Sequence, residues 1–459
     1  MATLLTRRLM RYTPIAGMSV VLLSGAPFGS LEAQNSDPLA PFVEEALDRN
    51  LGLFQERLVE QQAAARAREA RGSLLPNLSV AARYSELDGA LNIGDFVNPA
   101  YAALNDLTGT SNFPTDLDVT LPFKYESRLR VTQPVFNETV RNAYSLARHR
   151  ANAQAFQRRA FARRLAAEVQ LAYLRLAAAE SAVEIYDASY ELVEENERVA
   201  ESLLDAGDAT PEVLFRARAE RSEVAQQQAE ARERAAAAAR VFNQLLDRPL
   251  DTPIEMVPDS LLRFELLMST DSAVALALAE REELAGVDAG IEAADAAVRL
   301  ATADFLPAVS LSLDYGFQGQ QLGFGADRDF VVASVVMTWN VFSGGRNLAR
   351  RQGAQDEAQR VRTRQAELEQ QIRLDVIQAY QAAVVAQAAI ATAEDRLAAA
   401  GSTFELVRRR YEEGVATHIE FVDARTGLTR AELNYSVTTY RAAMRYVELE
   451  RAAALRVID

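Results

Sequence analysis

The carboxylates with the most chemical potential in this chain are Glu420 and Asp423. They stand three positions apart, which on a helix puts both on one face. An enzyme built on this chain would have to use such acidic pairs, and nothing supplies the base and nucleophile that acid–base or covalent catalysis also needs. His149 and His418 are the only histidines, far apart in sequence and without ligand-spaced companions, so no metal site is expected. Glu191, Glu194, Glu195 and Glu197 read as a solvated, charge-rich helix face. The chain has no Cys, which excludes disulfides, thiol catalysis and Cys-based metal sites. There is no glycine-rich phosphate loop and no nucleophile elbow. The expectation is no catalytic residue, no cofactor and no enzyme.

Composition points to something elongated. Of the 459 residues 49% are hydrophobic, but only 7% are aromatic, and Ala fills long tracts. Ala-rich stripes suit helices packed closely side by side. The net charge of −15 makes nucleic acid a poor partner. The basic residues are nearly all Arg, which we read as coding bias.

The amino terminus speaks for compartment. Arg7, Arg8 and Arg11 precede a short apolar run from Pro14 to Leu23, and a small-residue end follows at Ala33. That is the pattern of a signal peptide over residues 1–33. The run is shorter than the ~20 apolar residues a spanning helix needs, and no later stretch reads as one. If the chain crosses a membrane, it does so as strands.

Two glycine-punctuated turns organise the remainder. Gly207, Ala209, Thr210, Ala217 and Arg218 line up with Gly414, Ala416, Thr417, Ala424 and Arg425 at a constant offset of 207. Such self-similarity marks a duplicated architecture. The first repeat spans 40–246. It opens with a helix over 40–72, followed by strands at 77–85 and 125–135 around a long loop at 86–122. A long hairpin with its tip at 205–211 completes it. An extended connector occupies 247–270. The second repeat, 271–458, has a helix to 304, strands at 308–317 and 330–341, and a hairpin with its tip at 411–418. Its long helix is expected to be interrupted at Gly353 and Gly401. In the first hairpin a seam of period 3.5 runs from Leu165 through Val169, Ala172 and Leu176 to Leu204, broken only by Glu197. Thr210 reads as an N-cap with Pro211 at the first helical position.

The four strands alternate apolar and polar residues, as strands between lipid and a wet lumen must. Tyr84, Tyr125, Tyr315 and Trp339 lie at or near their ends, where interfacial aromatics sit. Soluble hairpins packed on helices are the alternative. Four strands cannot close a barrel, since the smallest known have about eight, so a membrane role requires oligomerisation.

In this order the elements resemble the TolC-type outer-membrane efflux protein family. The matching motifs are the Leu75-Pro76 and Leu306-Pro307 strand approaches, the Val135-Phe136 and Val341-Phe342 strand exits with Ser343-Gly344-Gly345-Arg346, and the two hairpins. The resemblance implies a mainly α chain with a small membrane β part. Three such chains form a homotrimer whose 12-stranded β-barrel, four strands per chain, sits in the outer membrane and continues as a long α-helical barrel through the periplasm. It implies a periplasmic adaptor protein docked at the tips, with Gly207, Thr210, Tyr411, Gly414 and Thr417 as contact residues, and an inner-membrane transporter of RND, ABC or MFS type. It places Glu420 and Asp423 in an acidic ring at the periplasmic entrance, whose carboxyl pKa values mutual repulsion should raise. A closing link known in some relatives joins an acid and a base at positions occupied here by Val213 and Ala416, so that link cannot form. The function implied is the passive outer-membrane channel of a tripartite efflux or type I secretion system. A periplasmic coiled-coil spacer without a pore is the rival.

Overall fold

The computed structural model describes residues 38–86, 91–121, 123–258, 268–321, 323 and 329–456. The signal peptide expected at 1–33 and the part of the expected connector at 259–267 lie outside the described residues.

Four strands make one antiparallel sheet in the order β1-β4-β5-β6. They are β1 (Asn77–Tyr84), β4 (Tyr125–Phe136), β5 (Ala308–Gly319) and β6 (Asp329–Thr338). Period-two alternation sorts their side chains by face. One face carries rows such as Leu78–Val131–Leu313–Ala333 and Val80–Leu129–Tyr315–Val331. The other carries Ser79–Arg130–Asp314–Val332 and Ala81–Arg128–Gly316–Phe330. The apolar face is uncovered: Val80 is 75% exposed and Val335 71%. The outer edges of β1 and β6 have no strand beside them among the described residues.

Long helices leave the sheet at one end. Asn137 starts α4 (Glu138–Ala206) by accepting from the Val140 amide. This helix has 69 residues and is ~100 Å long at 1.5 Å per residue. It returns as α5 (Pro211–Leu245). In the second repeat α8 (Arg346–Glu412) returns as α9 (His418–Ala452). Every seam position tested on α4 is buried or half-buried, including Leu165, Val169, Ala172, Leu176, Val193 and Ala200. The exception in sequence, Glu197, is no solvated glutamate. Arg218 and Arg221 of α5 hold it at 3.2 and 2.9 Å.

Two apolar clusters sit where the short helices meet the long ones. Leu39, Val43 and Ala46 pack on Tyr173 and Leu174 of α4 and on Phe242 of α5. Ala273 and Ala277 pack on Ile372 and Val376 of α8 and on Leu449 of α9. Ala46 and Ala277 are thus equivalent anchors.

Several expectations need correction. The helix over 40–72 is two, α1 (Ala40–Arg49) and α2 (Leu51–Gly72). Asn50 breaks it, because its Oδ1 accepts from Gly52 and Leu53 and caps the second piece. The helix over 271–304 likewise splits at Arg281 into α6 (Thr270–Glu280) and α7 (Glu282–Ala303). Residues 86–122 are not simply loop. They hold α3 (Gly94–Thr108) and a short pairing of β2 (Leu91–Asn92) with β3 (Thr120–Leu121). The Asn98 and Asn105 side chains each exchange two hydrogen bonds with the backbone of the returning segment, at Leu117 and Phe113. Gly353 and Gly401 do not interrupt α8, which runs unbroken for 67 residues. One mid-helix Gly costs only ~1 kcal/mol against Ala, and the partner helix offsets it. An 18-residue window of α8, with mean hydropathy 1.3, is apolar enough by length and composition to cross a membrane. That corrects the expectation that no later stretch qualifies. The window belongs to a hairpin helix more than three times its length.

Candidate functional site: the hairpin tips and the strand sheet

Both tips turn by the same hydrogen bonds. Gly207 N–H donates to Leu204 and Asp208 N–H to Leu203, while Gly414 N–H donates to Tyr411 and Val415 N–H to Arg410. This is a Schellman closure, which needs a residue of positive φ. Gly207 has φ 81° and Gly414 φ 73°. Gly207, Thr210, Gly414 and Thr417 are exposed, and Tyr411 is half-buried.

The return helices start differently. Thr417 caps α9 with a full capping box: its Oγ accepts from Glu420 N–H at 3.2 Å, and Glu420 Oε2 accepts from Thr417 N–H at 2.6 Å. Thr210 occupies the same position on α5, but its side chain makes no cap hydrogen bond. Glu420 and Asp423 are both exposed. In the single chain the Thr417 backbone and hydroxyl hold the Glu420 carboxyl below the usual range, the opposite direction to the raised value expected of a crowded ring.

Around the second tip lies an aromatic cluster. Tyr411 stacks on Phe421 at 4.9 Å, and Phe421 meets Phe404 at 5.8 Å. His418 lies beside Tyr411, with Nδ1 3.5 Å from the phenol oxygen. Its Nε2 is buried with no partner among the described residues. Burial pushes the imidazole pKa down, opposed by nearby Glu220 and assisted by Arg216.

Val213 packs within its own hairpin beside Ala200, Leu214 and Ala217, and Ala416 is buried. The tie between hairpins lies further along. Arg425 of α9 is only 5% exposed. Its Nε donates to Glu220 of α5 at 2.9 Å and its Nη1 to Ser189 of α4 at 2.6 Å. The repeat contains a signal for this tie. Arg218, the equivalent of Arg425, pairs with Glu197 and Glu201 in its own hairpin. At the corresponding positions the second hairpin has Phe404 and Arg408. Arg425 must therefore find its acid elsewhere.

At the sheet, Tyr84 and Tyr125 meet at 5.1 Å at the end away from the long helices, with Tyr315 on the same side. Trp339 sits at the helical end, its Nε1 donating to the Phe305 carbonyl at 3.1 Å. About twelve residues of strand separate the two ends, ~40 Å along the strand and ~30 Å once tilted, which is the thickness of a hydrocarbon core. Among the described residues no group of three or more His, Cys, Asp or Glu is placed to hold a metal ion.

The described residues thus join a one-sided strand sheet of membrane length to two long helical hairpins. Residues 273–455 match the family model described as outer membrane efflux protein. The chain is 31% identical over 163 residues to Protein CyaE of Bordetella pertussis, a match covering 35% of this chain and 34% of that relative's length. Its fold matches CusC, in a structure described by transmembrane channel formation, with TM-score 0.75 and 19% identity over 90% of this chain and 91% of that one. It also matches the outer membrane protein VceC of Vibrio cholerae, with TM-score 0.72 and 20% identity over 90% and 95%. The described fold as a whole is that of the solved outer-membrane channels.

Proposed function

We propose that three copies of this chain form a passive outer-membrane conduit for an efflux or type I secretion system. The strands are the membrane section and the hairpins the periplasmic section. The observation that carries this reading is the sheet: apolar on one face, bearing its charges on the other, and open at both edges among the described residues. Unpaired strand edges are untenable in lipid. Because each chain contributes an even number of antiparallel strands, β6 of one copy meets β1 of the next with the alternation intact. A soluble spacer leaves the exposed Val80, Val331, Val335 and Met337 without purpose.

In this reading the tips receive a periplasmic adaptor that links the conduit to an inner-membrane transporter. Bare backbone at Gly207 and Gly414, together with exposed Phe215, Val415 and Ile419, offers a partner both close approach and apolar surface. Thr210, Tyr411 and Thr417 complete the contact set. Glu420 and Asp423, three of each around one axis, line the entrance and favour cations.

Detergent-extracted protein should have the mass of three chains and conduct in planar bilayers. The Glu420→Ala/Asp423→Ala double variant should lose cation selectivity. A water-soluble monomer without conductance would sink the proposal, and unchanged selectivity in the double variant would remove the acidic entrance from it.

A further inference from the structure

The polar face of the sheet carries charges whose pairing is uneven. Arg83 of β1 pairs with Glu126 of β4 at 2.8 Å. Arg130 of β4 takes both oxygens of Asp314 on β5, at 2.6 and 3.0 Å. Between these two pairs, in the register of the sheet, stands Arg128. It is exposed and has no acidic partner within ion-pair distance among the described residues.

Its neighbours are small. Across β1 it faces Ala81, and across β5 it faces Gly316. Gly316 is required by close approach: a Cβ there would lie 2.5 Å from the Ser127 carbonyl oxygen and 2.6 Å from the Phe330 ring. Phe330, next in the same row, folds over that gap. The guanidinium thus stands beside a recess of about 290 Å³ walled by Ala81, Ser127, Phe317, Gln318 and Phe330. Asp314, already held by both nitrogens of Arg130, feels the Arg128 charge only from a distance. A guanidinium without a direct ion pair and with small flanking residues can meet ions passing along this face.

We propose that Arg128 is a selectivity-determining residue of the membrane section, three copies forming a positive ring that attracts anions and anionic groups of cargo at the outer end of the conduit. This rests on the trimeric pore reading above. The ring is opposite in sign to the acidic entrance proposed at Glu420 and Asp423, so the two ends of the conduit discriminate separately.

The test is block from one side. Full-length protein is inserted in a planar bilayer, and inositol hexakisphosphate is added on the strand side. Wild-type channels should be blocked from that side. The blocking concentration should rise about tenfold or more in Arg128→Gln and further in Arg128→Glu, while Arg128→Lys stays near wild type. The side of addition separates this effect from the acidic entrance. Conducting Arg128→Glu channels with wild-type block would overturn the ring and leave the pore standing. Wild-type protein that never conducts would overturn both. If Arg128→Glu fails to insert, Arg128→Gln against Arg128→Lys still decides, because they differ in charge at similar size.

Discussion

Position 197 in the first hairpin is a glutamate; 207 residues later, position 404 in the second is a phenylalanine. The two hairpins turn on the same hydrogen bonds around Gly207 and Gly414, yet they are held by different forces. In the first, Glu197 gathers Arg218 and Arg221, an ionic latch internal to the hairpin. In the second, Phe404, Phe421 and Tyr411 form an aromatic latch. At the shared arginine position, Arg425 reaches across to Glu220 and Ser189. Where the first hairpin has Glu197 and Glu201, the second has Phe404 and Arg408, and the ion pair internal to one hairpin is matched in the other by a bond between hairpins.

That contrast can be broken by mutation. The largest effect should come from Arg425→Ala. It leaves Glu220 poorly solvated and unpaired, and removing one partner of a buried pair costs ~3–5 kcal/mol. Arg218→Ala removes a half-exposed pair, worth ~1 kcal/mol or less. Thermal melts of detergent-solubilised protein should separate the two clearly, and equal losses would dissolve the distinction between internal and bridging arginines.

A smaller effect distinguishes the two caps. Thr417→Ala removes a working cap and should cost ~1 kcal/mol, whereas Thr210→Ala, which has no side-chain cap bond to lose, should cost a few tenths at most. Amide exchange in the first turns of α5 and α9 reads this directly.

The smallest effect concerns pH, and it belongs to the second tip alone. His418 has a folded pKa below its reference of 6.5, so it favours the fold above that pH, and the contribution fades as pH falls through the lower folded value. Glu420, also lowered, adds the same sign at more acid pH, from below 4.5. Acidification from pH 7 toward 5 should loosen the second tip before the first, as limited proteolysis at each turn would report. His418→Asn should remove that difference.

Much of this was legible in the residues. Period-two runs marked the sheet strands, because successive side chains of a strand point to opposite faces, though β6 carries Val331-Val332 and Val335-Val336 on both. Glycines marked the tips, because only positive φ closes them. The helix breaks at Asn50 and Arg281 were not legible, since neither is Gly or Pro and both sit in apolar periodicity. Segment 94–121 was hidden for a related reason: Asn98 and Asn105 look like turn residues, and only the returning backbone makes them clamps. The partner of Arg425 could have been sought by aligning the repeats, because its local acids are missing at 404 and 408. Arg128 could not, because its isolation depends on strand register.

The open edges of the sheet carry one more consequence, and it concerns time. Among the described residues a single copy presents two unpaired sheet edges and an uncovered apolar face. Alone it has no stable resting place in water or in lipid. On the proposed trimeric conduit, joining other copies and entering the membrane are one event, and its rate climbs steeply with concentration. A cell producing too little would accumulate stranded single chains, exposed to proteases, in place of a proportionate number of pores.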